Sequence, residues 1–305
     1  MNDQYLWDRS GKPDPEIVRL EEQLGKLSYA GPVQTPKRAW LGWMALAAAL
    51  ILMGVLSIPL YRNHPLTNWK TPNGHRIRAG QLIETGALHE TTIEAGDTGQ
   101  VTIDPHSRFR LIAATGTEQR FDLRRGTIHA FIWAPPGKFV VDTPSSKTID
   151  LGCRYSLQVS DNGLGLLNVE FGWVAFEKNH IESFIPAGAA CVTRPKRGPG
   201  TPYFTDAPQA LISALARFDE GDLNAITPAI GAARQRDALS LWHLMLRTSG
   251  ERRGDVFDRF ATLVKLPPEI TREAVLRGDS AAVDGAWNAL GLGGTDWWRN
   301  WKRAW

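Results

Sequence analysis

The sequence predicts a single-pass membrane protein whose larger part is an all-β domain, sandwich or short β-solenoid, followed by an α-helical hairpin domain. Three observations predict it. Residues Ala39 to Tyr61 form a run of 23 without a single charge. Short segments rich in β-branched and aromatic residues, separated by glycines, fill residues 75–194. From residue 208 onward the apolar positions recur with a helical period.

The uncharged run would reach about 34 Å as a helix, enough for a hydrocarbon core of about 30 Å. Trp40 and Trp43 stand at one end and Tyr61 at the other, where amphipathic rings prefer the headgroup level. A soluble core helix with no polar face is uncommon, and a secretory signal does not begin after 38 residues of charged chain. Lys37 and Arg38 adjoin the run on one side and Arg62 on the other. This slight excess places the N-terminus in the cytoplasm. The implied organisation is a cytoplasmic arm (1–38), a transmembrane helix (39–61), a linker (62–74), the β domain (75–194), a second linker (195–207) and a helical C-terminal domain (208–305).

The arm reads as one short amphipathic helix. Asp14 can cap it, Pro15 suits the first helical position, and Glu16 complements the positive end of the helix dipole. Ile17, Leu20, Leu24 and Leu27 follow on one stripe, with Arg19, Glu21, Glu22 and Lys26 off it. So short a helix is marginal in water by itself, and its stripe calls for a partner. Trp7, ahead of the helix, joins Ile17, Leu20, Leu24 and Leu27 as candidate partner-binding residues.

In the β region, QLIET (81–85), QVTID (100–104), RFRLIA (108–113), RFDLRR (120–125) and TIHAFIW (127–133) read as strands. So do KFVVDT (138–143), RYSLQVS (154–160), LLNVEF (166–171) and WVAFE (173–177). Several alternate, as with Leu157 and Val159, which suits one buried face. Gly126 and Gly172 read as tight turns. Residues 208–290 carry six helical segments broken at Gly221, Gly250, Pro267-Pro268 and Gly278, the pattern of stacked helical hairpins. The final DWWRNWKRAW puts Trp298, Trp301 and Trp305 on one helical stripe, which is expected to dock on the preceding helices together with Trp287, the alternative being a membrane interface with Arg299, Lys302 and Arg303 outward.

Few chemistries remain open. The formal net charge is only +3 and no Lys/Arg block exceeds two in a row, which argues against nucleic acid. Nucleophile-elbow, phosphate-loop, zinc-protease and EF-hand patterns are absent. No two of the seven histidines share a helix face at ligand spacing. The chain is therefore expected not to be an enzyme, and to need no metal or cofactor. Cys153 and Cys191 could form a disulfide in an oxidising compartment, or remain two buried thiols; their spacing fits no metal pattern.

The β region resembles the FecR family. GQLIETG (80–86), GQVTIDPHSRFRLI (99–112) with Ser107, FDLRRGTIHAFI (121–132) with Leu123 and Gly126, FVVDTPSSKTIDLGCRYSLQV (139–159) and LNVEFGWVAFE (167–177) are similar to its successive segments in order and spacing. Cys153 replaces the family's usual threonine. The arm is shorter than that of sigma-binding members, and the helical C-terminus has no counterpart in the iron-transport regulators. The resemblance implies a signal transducer in the bacterial inner membrane. In it a periplasmic β domain (within residues 62–305) senses a protein partner, and residues 1–38 relay to a cytoplasmic regulator such as an extracytoplasmic-function sigma factor. The alternative is an envelope adaptor or scaffold that binds periplasmic protein or glycan.

Overall fold

The computed structural model describes residues 15–26 and 68–293. The chain divides into two units, Met1–Arg62 and Asn63–Trp305. In the first, helix α1 (Pro15–Gly25) forms where the capping pattern and apolar stripe predict it.

In the second unit one long strand organises the β domain. β5 (Gln119–Ile132) belongs to two sheets at once. Its first half pairs with β4 (Arg108–Ala114) and, in parallel, with β6 (Phe139–Asp142). β7 (Lys147–Asp150), β10 (Trp173–Lys178) and β11 (Ile181–Pro186) extend this sheet beyond β6, and β1 (Leu82–Glu84) flanks β4. The second half of β5 pairs with β3 (Gly99–Ile103) and β8 (Cys153–Val159). β2 (Thr91–Ala95) lies outside β3, while β9 (Gly165–Phe171) and β12 (Ala189–Arg194) continue from β8. β13 (Gly198–Pro199) and β14 (Tyr203–Phe204) pair with the far side of β12. The result is barrel-like, two facing sheets that share β5.

Gly126 explains why the two segments expected as separate strands are one. Its φ is +95°, and a Cβ there would collide with the side chain and Cα of Ser107. The Ser107 hydroxyl accepts from the Thr127 N–H at 3.0 Å, so the strand bends at Gly126 without leaving its ladders. Gly172, at φ +74°, carries the chain from β9 in one sheet to β10 in the other, against the carbonyl of Gly152.

Between the sheets the rings of Phe109 and Phe121 stack at 4.7 Å, with Trp69 edge-on to Phe121 at 5.1 Å. Trp69 is fully buried and donates to Gln119 Oε1 at 2.9 Å, so from residue 68 the expected linker 62–74 is part of the domain. The second expected linker, 195–207, likewise holds β13 and β14. The helices follow as α2 (Gln209–Asp219), α3 (Ile226–Ala232), α4 (Ala238–Arg247), α5 (Gly250–Leu263), α6 (Arg272–Arg277) and α7 (Ser280–Asn288). Trp242 and Trp287 meet the Trp173 and Phe184 side of the β10–β11 hairpin, with Trp173–Trp287 centroids 5.8 Å apart. The terminal tryptophans Trp298, Trp301 and Trp305 lie outside the described residues.

The single-pass fold class needs correction. Among the described residues no helix is long and apolar enough to cross a membrane. The longest, α5, has 14 residues, about 21 Å of rise, and carries Glu251, Arg252, Arg253, Asp255, Asp258 and Arg259. The expected span, 39–61, lies outside the described residues. What the structure shows is a barrel-like all-β domain with helices.

Candidate interaction surfaces

Helix α1 buries none of its residues. Leu20 is 55% and Leu24 60% exposed, Val18 beside them is also exposed, and Ile17 is half-buried. Three of the candidate partner-binding residues thus share one helix. The other two, Trp7 and Leu27, lie outside the described residues.

A second surface was not legible in the sequence. Along the sheet that contains β8, side chains alternate between the interior and an outer face. Cys153, Tyr155, Leu157 and Val159 point inward and are buried, whereas Arg154 and Gln158 are exposed. Register places Gln100, Phe131, Arg154 and Phe171 side by side on β3, β5, β8 and β9. At about 4.8 Å per strand the row is about 14 Å wide. Phe131 is 40%, Trp133 49% and Phe171 67% exposed. Trp133 stands edge-on to Phe131 at 5.4 Å, fixed by its indole N–H to Gly96 O at 3.1 Å. The Arg154 guanidinium lies over the Phe131 ring at 4.5 Å and has no carboxylate partner among the described residues. Only cross-strand register, which periodicity does not supply, could have revealed this row.

Several buried polar groups are held by hydrogen bonds within the fold. Asp150 accepts from the Gly152 N–H at 2.7 Å and from the Cys153 thiol, and burial raises its carboxyl to about 7. Burial likewise pushes the Cys153 thiol and the Tyr155 phenol well up. Where the helices meet β11, Arg247 donates to Ser183 Oγ at 2.6 Å and Thr201 Oγ1 at 2.9 Å, with Asp219 at 3.5 Å. Burial raises the Asp219 pKa even though Arg247 opposes it. His243 is fully buried, and burial lowers it to about 3. Among the described residues no three His, Cys, Asp or Glu side chains are set to hold a metal.

Of the two readings offered for Cys153 and Cys191, the structure has the two thiols and not the disulfide: both are buried and free. Register gives the reason. Cys191 is opposite Leu167, which is opposite Leu157, four residues along β8 from Cys153. That is about 13 Å along the strand and two strand spacings across, far beyond the roughly 7 Å a disulfide bridges. Cys191 instead donates to Gly200 O at 3.2 Å, and burial raises its thiol to about 12.

No curated protein matches the sequence. Two solved structures of a proposed anti-sigma factor from Parabacteroides distasonis align at 13% identity, with TM-scores of 0.36 and 0.35. Each alignment covers 45% of this chain and 64% of that one, so this chain spans less than two thirds of their length. The family model described as FecR protein matches residues 81–174, from β1 into β10 and across the Ser107–Gly126 corner. It is to the FecR family that residues 81–174 of this chain are similar.

Proposed function

We propose that this chain is a regulator of the FecR type that controls an extracytoplasmic-function sigma factor by direct contact through α1. The observation that carries the reading is the exposed Leu20–Leu24 stripe on a helix with no buried residue. Burying two leucines on a partner is worth about 3–6 kcal/mol, which suits a protein interface. The FecR domain supports a signalling role. Membrane association, general among FecR proteins, and a periplasmic position for the β domain belong to the same proposal. So does the absence of catalysis: the chain acts by binding.

The test is a tagged full-length chain with Leu20→Asp and Leu24→Asp together. The proposal expects loss of the bound sigma factor and altered transcription from that sigma factor's promoters, with the fold unchanged. Unchanged partners and unchanged transcription would refute it. An envelope adaptor would keep its function when α1 is replaced by an unrelated segment; a transducer would lose it.

A further inference from the structure

We propose that the Phe131–Trp133–Arg154–Phe171 row is a docking site for a protein segment that carries a carboxylate between apolar side chains. The row lies at one end of a mixed face, on which Leu166 and Val192 are half-buried. Thr102, Ser156, Gln158 and Asn168, further along the same strands, present the hydroxyls and amides usual on a solvated sheet. Two phenyl rings and an indole exposed together are the side chains enriched at interface hot spots, with arginine among them. The central Arg154 sets the chemistry of the occupant. Its guanidinium carbon lies 4.5 Å from the centre of the Phe131 ring in a cation–π contact, and a guanidinium offers its N–H donors to a planar acceptor such as a carboxylate. No carboxylate of the described residues takes that position.

The flanking rings of Phe131 and Phe171 then require apolar groups on either side of that acceptor. A flat platform across four strands suits the mixed side chains of a polypeptide better than a small glycan, whose sites are concave. The inference deepens the regulator reading only in naming a protein as occupant, and α1 plays no part in it.

The test selects a random peptide library on the purified full-length chain and measures the selected peptides by fluorescence anisotropy. The expected peptides carry Asp or Glu flanked by Leu, Phe or Trp. Arg154→Glu is expected to weaken them about tenfold or more, and replacing the peptide's acid by Lys is expected to restore binding to that variant. Phe131→Ala with Phe171→Ala is expected to weaken binding comparably, with the unfolding midpoint unchanged. Leu20→Asp with Leu24→Asp leaves these affinities untouched, which separates this proposal from the role of α1. Selection of peptides without an acid, affinities indifferent to Arg154→Glu, or soluble glycan fragments as the ligands lost in the Phe131/Phe171 variant would each overturn it.

Discussion

Phe184 donates its backbone N–H to His243 Nε2 at 3.0 Å, while His243 Nδ1 donates to Leu239 O at 2.9 Å. The ring therefore ties α4 to β11 only when neutral, because a proton on Nε2 would abolish the acceptor that Phe184 uses. Burial holds its pKa near 3, against about 6.5 in the unfolded chain.

That bond and the Asp150 carboxyl give opposing pH dependences. Between about pH 3 and 6.5 the unfolded chain binds the extra proton at His243, so this group's stability contribution falls as pH falls, by about 5 kcal/mol in all. For Asp150 the native state holds the proton up to about pH 7, against about 3.9 unfolded. Its contribution therefore falls as pH rises through that window, by about 4 kcal/mol. The two slopes oppose between about pH 4 and 6.5. Asp150→Asn keeps the acceptor for Gly152 N–H and removes the titration. Denaturant unfolding of this variant should show stability rising with pH from 4 to 6.5, and above pH 7 a protein more stable than the parent.

Arg247 ties the last turn of α4 to β11 and α2 through Ser183, Thr201 and Asp219. Arg247→Ala leaves the buried Asp219 without its main opposing charge, and should cost about 3–5 kcal/mol. Arg247→Lys should recover only part of it, because one ammonium cannot reproduce the forked contacts. Urea titration gives both values.

At the strand corner, Gly126→Ala meets both a left-handed φ and the body of Ser107. It should destabilise by about 2 kcal/mol or more. Ser107→Ala removes the acceptor of Thr127 N–H and should cost about 1–2 kcal/mol. Because both changes disturb one corner, the double variant should fall short of the sum of the two. Midpoint shifts at constant slope would check this.

Alternation and glycine spacing made the β region legible, and the Ser107, Gly126 and Gly172 positions carried the family resemblance because each enforces a specific backbone approach. Gly126 still misled: a glycine between apolar runs reads as a turn, and only the contact with Ser107 makes it a bend. Trp69 read as linker because its strand neighbours are distant in sequence. The Arg247–Asp219 lock and the Phe131–Arg154–Phe171 row depend on three-dimensional register, which the local pattern does not contain. The stripe of α1 was legible since helical spacing alone places Ile17, Leu20 and Leu24 together.

The central claim is regulation by contact through α1. The most direct measurement compares the sigma factor co-purified with the full-length chain and with its Leu20→Asp/Leu24→Asp variant at equal expression. The account expects recovery to fall about a hundredfold in the variant, from the loss of roughly 3 kcal/mol of apolar contact. Equal recovery from both, or no sigma factor with the unaltered chain, would contradict it.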